Sequence, residues 1–231
     1  MRSQERPPGR QRVTGGGGGI GKAAARRLLA DEARVALSGS RLEVLQRAQA
    51  EIDPTGENTL IYAGHITTGD QARTLVDRVV DRFGGVDVLV NSTGIFRPVP
   101  FTDQTEEHLE EALGSILRPT FWVSQAVVEP MRKRGGGAIV NVGSMWALDA
   151  IATTPTSAYS MAQAGRHSLT KTLQLSSRRS VSGSTPSPSP SSRHRRTSAS
   201  SRRRRRVPFS TRSTRSTHWA AIANPPTSWR R

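Results

Sequence analysis

The stretch Thr14-Gly15-Gly16-Gly17-Gly18-Gly19-Ile20-Gly21 decides the fold of this 231-residue chain. It stands directly before Ala23–Ala33, whose apolar residues repeat at helical spacing. Glycines allow a tight turn, and they let a pair of phosphates approach backbone N–H groups at the positive end of a helix dipole. A glycine run is also typical of flexible linkers, so the position of this one before an amphipathic helix is what favours a phosphate-binding turn.

Strands and helices alternate on the C-terminal side of this turn. Short apolar runs of β type occur at Arg34–Ser38, Thr59–Ala63, Val86–Asn91 and Ala138–Val142. Segments with helical spacing occur at Gln71–Phe83, at Glu106–Met131, which contains Pro119, and at Tyr159–Leu175. This alternation predicts an α/β fold with a doubly wound parallel sheet, a Rossmann-like single domain over residues 13–175.

The segment ahead of the glycine turn is a poor strand. Arg6–Val13 contains two prolines and three arginines where a central parallel strand should be apolar. Proline cannot donate a hydrogen bond to a neighbouring strand. We therefore expect residues 1–12 to be a degraded first-strand region.

The C-terminal segment carries almost all of the net charge of +16. Ser176–Arg231 contains 14 Arg and no Lys, Asp or Glu, which leaves 20 basic and 18 acidic residues in the remainder. A Ser/Arg/Pro-rich segment has too little apolar surface to offset its ordering entropy, so residues 176–231 are expected to be a disordered tail. The tail is either an arm that binds nucleic acid through phosphates or a segment translated in a shifted reading frame. The shifted frame is favoured, because the codons for Gly183–Ser187 can be read one base earlier as the strand-like peptide Arg-Val-Asn-Ala-Val.

The composition excludes several classes of protein. The chain has no cysteine, which excludes disulfide frameworks, thiolate metal sites and cysteine nucleophiles, and no metal site is predicted. No apolar stretch has the length of a membrane helix, and the N-terminus has no hydrophobic signal region. We expect a cytoplasmic protein without a membrane partner.

Four motifs in order give the chain a family resemblance. They are Thr14–Gly21, Asn91–Gly94 (NSTG) at the end of a strand, Ser144 after the next strand, and Tyr159 within SAYSMAQAG. With this spacing, Val13–Leu175 resembles the short-chain dehydrogenase/reductase family. The resemblance implies a nicotinamide cofactor and hydride transfer to or from a small-molecule carbonyl or alcohol substrate.

The resemblance also implies a role for each motif residue. Gly15, Gly19, Ile20 and Gly21 would hold the pyrophosphate, and Asn91 with Gly94 would line the adenosine and ribose side. Tyr159 would exchange a proton with the substrate oxygen, and Ser144 would orient that oxygen.

Three positions depart from the family pattern. Gln163 replaces a lysine one helical turn after the tyrosine, Ile116 replaces an asparagine that holds a water, and His65 replaces an aspartate near the adenine. Gln163 can still bond to a ribose hydroxyl, but it cannot supply a charge that favours tyrosinate, and a free phenol ionises only near pH 10. These substitutions predict impaired acid/base catalysis.

The end of the second strand governs cofactor choice. Ser38-Gly39-Ser40-Arg41 has no acidic residue to repel a 2′-phosphate, and Arg41 would attract one. NADP is therefore the predicted cofactor, with NAD possible and with Ser40, Arg41, His65 and Ile66 as further cofactor-binding candidates. The alternative interpretation is that Arg41 is a solvated surface residue at a helix start without a role in cofactor binding.

Two functions of different class remain open. The first is an oxidoreductase, for which the family implies a homo-oligomer. The second is a protein without catalysis that binds a nucleotide, or binds nucleic acid through its tail, although nucleic acid is an unlikely partner.

Overall fold

The computed structural model describes residues 10–14, 16–151 and 153–179. The predicted tail lies outside these residues from position 180 onward, as do residues 1–9 and the segment in which a shifted frame was inferred. The last predicted helix extends further than expected, since its backbone is helical through Arg179.

Five parallel strands form one sheet in the order β3-β2-β1-β4-β5. They are β1 (Arg10–Thr14), β2 (Arg34–Gly39), β3 (Thr59–Ala63), β4 (Val88–Asn91) and β5 (Ala138–Asn141). The order reverses at β1, between β2 and β4, and this reversal defines a doubly wound sheet. The predicted fold class is confirmed.

The prediction of a degraded first strand is wrong for residues 10–14. β1 is the central strand, with Val13 beside Leu37 of β2 and Val90 of β4. A central strand hydrogen-bonds on both edges through backbone groups, which every residue except proline supplies in full. The two prolines, Pro7 and Pro8, precede the strand and therefore do not interrupt it.

Helices cover both faces of the sheet. They are α1 (Gly19–Ala30), α2 (Leu42–Ile52), α3 (Gly69–Phe83), α4 (Glu106–Ala112), α5 (Arg118–Lys133) and α6 (Ser157–Arg179), with α4 and α5 joined by a π-helical segment, Leu113–Leu117. Short 3₁₀ helices occupy Phe101–Asp103 and Met145–Ala147.

The alternation of side chains along each strand produces two cores. Ala36 and Leu89 face α3 and α5, whereas Val35 and Leu37 face α1 and α2. Each buried Leu or Val contributes about 1.5–3 kcal/mol through the hydrophobic effect. This packing fixes the carboxyl ends of the strands, where the loops that form the site begin.

Candidate active site

A cavity of about 550 Å³ lies at the carboxyl ends of β2, β3 and β4. Its walls come from the glycine turn, the loops after these three strands and the π-helical segment. The lining residues are Gly17, Gly18, Ser38, Gly39, Ser40, Arg41, Val44, Leu45, Gly64, His65, Ile66, Ser92, Thr93, Gly94, Ile95, Gly114, Ser115 and Pro119. Ligands of open α/β sheets bind at this kind of crevice, where the strand order reverses.

The glycine turn closes one side of the cavity. A Cβ on Gly17 would lie 2.7 Å from Cγ1 of Val44, so only glycine fits there. Gly18 caps the N-terminus of α1 and offers no side-chain acceptor, and the first turn of α1 contains no acidic residue. The backbone N–H groups of this turn are therefore suited to phosphate oxygens. Gly15 lies outside the described residues.

Three other residues of the turn were predicted to hold the pyrophosphate. Gly19 and Gly21 lie in the first turn of α1, and Gly21 is buried. Ile20 is 62% exposed and is not among the residues that line the cavity.

Four residues predicted to bind the cofactor line the cavity. They are Ser40, Arg41, His65 and Ile66. Arg41 is the N-cap of α2, is exposed, and pairs with no carboxylate within the described part of the chain. The cavity lining therefore has a cation that is free to meet an anionic ligand.

Asn91 differs from its expected place on the adenosine side. It is buried, and its amide nitrogen donates to Ser124 Oγ at 3.1 Å and to Asn141 Oδ1 at 2.8 Å. Asn141 in turn donates to Thr170 Oγ1 at 2.8 Å. These hydrogen bonds connect β4 to β5, α5 and α6 beneath the cavity. Asn91 therefore contributes to the site through the position of β4.

Gly94 lies in the cavity wall. Its φ of +149° is a conformation that side chains rarely adopt, and a Cβ would lie 2.8 Å from Cγ1 of Ile116. Glycine is required at this position for two independent reasons.

Tyr159 and Gln163 lie one turn apart on α6 and are hydrogen-bonded. The Gln163 amide nitrogen donates to the Tyr159 hydroxyl oxygen at 3.0 Å. Gln163 is buried, and its Oε1 has no partner within the described residues. The phenol oxygen already accepts one hydrogen bond, so its own proton is available to another acceptor.

Ser144 caps the 3₁₀ helix Met145–Ala147, which packs against α6. The Ser144 carbonyl oxygen accepts a hydrogen bond from Ala147 N at 3.1 Å, whereas the Ser144 hydroxyl makes no capping hydrogen bond. The loop after β5 thus brings Ser144 to the side of the sheet on which Tyr159 lies.

Ile116 lies behind Tyr159 within the π-helical segment. It is fully buried and packs with Ala112 and Ala162, against which Tyr159 also packs. π-helical turns occur frequently at functional sites. Sequence reasoning anticipated one long helix here, and the structure instead has α4, the π turn and α5 in succession.

An aromatic wall stands beside the phenol. The ring of Phe96 meets Tyr159 edge-on with centroids 5.0 Å apart, and it meets Trp146 at 5.3 Å. Met145 and Leu148 nearby are more than half exposed. The indole N–H of Trp146 is buried without a partner in the described region. A substrate next to Tyr159 would therefore meet mostly apolar surface.

Sequence reasoning missed Arg166. This side chain is only 1% exposed and donates to Thr120 Oγ1 and to three backbone oxygens, those of Thr93, Ile116 and Val142. Burial lowers the pKa of Arg166 to about 10. The detectable signal was an arginine seven residues after Tyr159, on the face of α6 that also bears Ala162.

The chain belongs to the short chain dehydrogenase family, whose model matches residues 12–190. The acetoacetyl-CoA reductase of Cupriavidus necator is 34% identical over 166 residues, covering 70% of this chain and 65% of the relative. The 3alpha-hydroxysteroid dehydrogenase of Mediterraneibacter gnavus is 32% identical over 135 residues, covering 58% of this chain and 54% of the relative.

A solved structure has the same architecture. The short chain dehydrogenase of Bacillus anthracis superposes with a TM-score of 0.70 at 27% identity, covering 74% of this chain and 71% of that one. The match to the acetoacetyl-CoA reductase and to the 3alpha-hydroxysteroid dehydrogenase covers less than two thirds of the length of each relative. Within the described residues, no helix is long and apolar enough to cross a membrane.

Proposed function

We propose that this protein is an NADP(H)-dependent oxidoreductase that interconverts a small-molecule carbonyl and its alcohol. The hydrogen bond from Gln163 to Tyr159 carries the proposal. It leaves the phenol proton free at a position on α6 that faces an apolar wall, as a proton donor to a carbonyl oxygen requires.

The described residues fit a nicotinamide dinucleotide. The glycine turn supplies phosphate-binding N–H groups, Arg41 supplies a cation for a 2′-phosphate, and Gly94 keeps the cavity open. Gln163 Oε1 and Thr93 Oγ1 are buried and have no partner among the described residues, so each could bond to a ribose hydroxyl or the nicotinamide amide. The bound cofactor would supply the hydride.

The residues of this chain perform the proton part of the reaction. Tyr159 donates its hydroxyl proton to the substrate oxygen as the carbonyl carbon is reduced, and solvent restores that proton afterwards. Ser144 orients the substrate oxygen by a hydrogen bond. Gln163 donates to the phenol oxygen throughout and stabilises the negative charge that develops there. In alcohol oxidation every transfer runs in reverse.

The substrate that best suits this site has an apolar body beside its carbonyl. Phe96 is 46% exposed, and Leu148 and Ile151, which follow Trp146 in the chain, also present apolar surface. Burying such surface against a substrate contributes about 25 cal/mol per Å². A compact, strongly hydrated sugar would gain little from these contacts.

NADPH oxidation by the full chain tests the proposal. The assay follows the loss of NADPH absorbance with a panel of apolar and polar aldehydes and ketones, and Tyr159→Phe is the control. We expect turnover with apolar carbonyls and a loss of roughly 10²- to 10⁴-fold in the control. Equal rates for the two proteins would contradict the role of Tyr159.

A further inference from the structure

Arg166 is a buried cation whose hydrogen-bond partners are all neutral. Its guanidinium donates to one threonine hydroxyl and to three backbone carbonyls, and no carboxylate is among these partners. Burying a charge without a countercharge is costly, because the surroundings replace only part of its hydration. An uncompensated buried cation attracts a neighbouring group that becomes anionic during a reaction.

Tyr159 is that neighbouring group. Arg166 follows it by seven residues, which is two turns on the same face of α6. The guanidinium reaches the carbonyls of Thr93 after β4, of Val142 after β5 and of Ile116 in the π-helical segment. Arg166 Nη2 reaches the carbonyl of Ile116 at 3.3 Å, and the Ile116 side chain packs in the cluster that contains Tyr159. The attraction of ionised Tyr159 also raises the pKa of Arg166, against the larger effect of burial.

Other charged groups near the phenol are already engaged. Arg97 and Glu111, which share a small cavity with Tyr159, pair with each other at 2.8 and 3.0 Å. His108 in the same cavity accepts at Nδ1 from Thr105 N at 3.1 Å.

Glu106 and Glu107 of α4, which packs against α6, and Lys171 of α6 are exposed. The π-helical segment, β5 and the 3₁₀ helix Met145–Ala147 contain no titratable residue, and Arg118 at the start of α5 pairs with Glu110 at 2.8 Å. On α6 itself, His167 lies against Gly143. Arg166 is thus the buried cation without an acidic partner in the described part of this site.

We propose that Arg166 supplies the positive charge that stabilises negative charge developing on the Tyr159 oxygen during proton transfer, a charge that Gln163 at the adjacent turn lacks. Arg166 is a positioning residue, because it acts through Tyr159 and through the loops whose carbonyls it holds. The inference rests on the proposed role of Tyr159 as proton donor. A competing role is purely mechanical, in which Arg166 only joins the ends of β4 and β5 to α5 and α6.

Direct titration of the phenol separates the two roles without requiring activity. Tyr62 and Tyr159 are the only tyrosines of the chain, so in a Tyr62→Phe protein the ultraviolet absorbance of tyrosinate reports Tyr159 alone. We expect Arg166→Met and Arg166→Gln in this background to move the absorbance transition upward by about one pH unit or more, and Arg166→Lys to move it much less. Coincident transitions in the folded neutral variants would overturn the proposal.

A second measurement leaves Arg166 in place, in case the neutral variants do not fold. The thermal midpoint of Tyr62→Phe is compared with that of Tyr62→Phe/Tyr159→Phe between about pH 8 and pH 11. If Arg166 compensates the tyrosinate, the protein that keeps Tyr159 loses no stability relative to the control as the phenol ionises, because the folded state releases that proton at least as readily as the unfolded state. A growing deficit with rising pH would overturn the proposal. A protein that passes both tests but reduces no carbonyl would leave the charge relationship standing and refute the proposed function.

Discussion

Gln163 donates a hydrogen bond from its amide nitrogen to the hydroxyl oxygen of Tyr159, 3.0 Å away and one turn earlier on α6. A lysine at this position would supply a charge as well as a donor. Glutamine supplies the donor alone, and it adds a carbonyl oxygen that no described residue satisfies. The geometry of proton transfer is thus retained, while the charge must come from another residue, for which Arg166 is the candidate.

Gln163→Lys should raise turnover by different amounts with and without Arg166. In an Arg166→Met background, the new ammonium supplies the missing charge, and we expect a gain of roughly tenfold or more. With Arg166 present, the second cation adds less, because the two charges repel and Arg166 already stabilises charge on the phenol oxygen in the proposed role. The pair should therefore be non-additive in kcat. Equal gains in both backgrounds would show that the two residues share no function.

Arg41→Asp should reverse the preference between NADPH and NADH. The substitution replaces a cation that can meet the 2′-phosphate with a carboxylate that repels it and accepts from ribose hydroxyls. Cofactor dissociation constants, measured by calorimetry, provide the comparison. Arg47→Asp on the same helix makes the same charge change away from the cavity lining and should leave the preference as it is. Equal affinities that respond to neither variant would refute this assignment.

Gly94→Ala should destabilise the fold. The new Cβ would lie 2.8 Å from Ile116 at a φ of +149°, and we expect a cost of about 1–3 kcal/mol in the free energy of unfolding. Gly114→Ala is the matched control, because a Cβ there meets nothing within 4 Å. Its thermal midpoint should be unchanged or slightly raised. A midpoint for Gly94→Ala equal to that of the control would contradict the packing described for Ile116.

Asn91→Leu should cost more stability than Ser124→Ala. The leucine leaves the oxygens of Asn141 and Ser124 buried without their donor, at about 1–3 kcal/mol for each unpaired group. Ser124→Ala removes only one acceptor of the same donor. Chemical denaturation with a two-state fit measures both costs. Equal midpoints and slopes for the two variants would mean that the buried polar chain does not hold β4 in place.

The sheet and its helices were largely predictable because buried parallel strands are apolar and their helices keep a 3.6-residue period. The residues of β1 do not have the apolar pattern of a buried parallel strand, so β1 was not predicted. Four of its five residues, Arg10–Thr14, are polar or basic, and their position comes from backbone pairing with β2 and β4, which leaves no apolar pattern in the sequence. The same holds for the π-helical turn at Leu113–Leu117, since helical periodicity does not distinguish one turn type from another.

Candidate site residues were predictable where a short sequence motif restricts the residue type at a position. Gly94 and Tyr159 stand in short motifs; Gly94 lines the large cavity and Tyr159 lines a small one. Asn91 was expected in the cavity but turns toward Ser124 and Asn141, which only the tertiary structure brings close. Arg166 was missed because arginine is usually a surface residue, so nothing local marks this one as buried.

The most direct test of the account is whether the full chain moves a hydride from NADPH to a carbonyl carbon with a proton from Tyr159. NADPH that carries deuterium at the transferring position is incubated with an apolar ketone, and the alcohol is analysed by mass spectrometry. If hydride passes from NADPH to the carbonyl carbon, the product carries one deuterium on its carbinol carbon. In Tyr159→Phe, NADPH should still bind with similar affinity while the labelled alcohol falls roughly 10²- to 10⁴-fold. Bound NADPH with no labelled alcohol from the unmodified chain, or equal label from both proteins, would contradict the account.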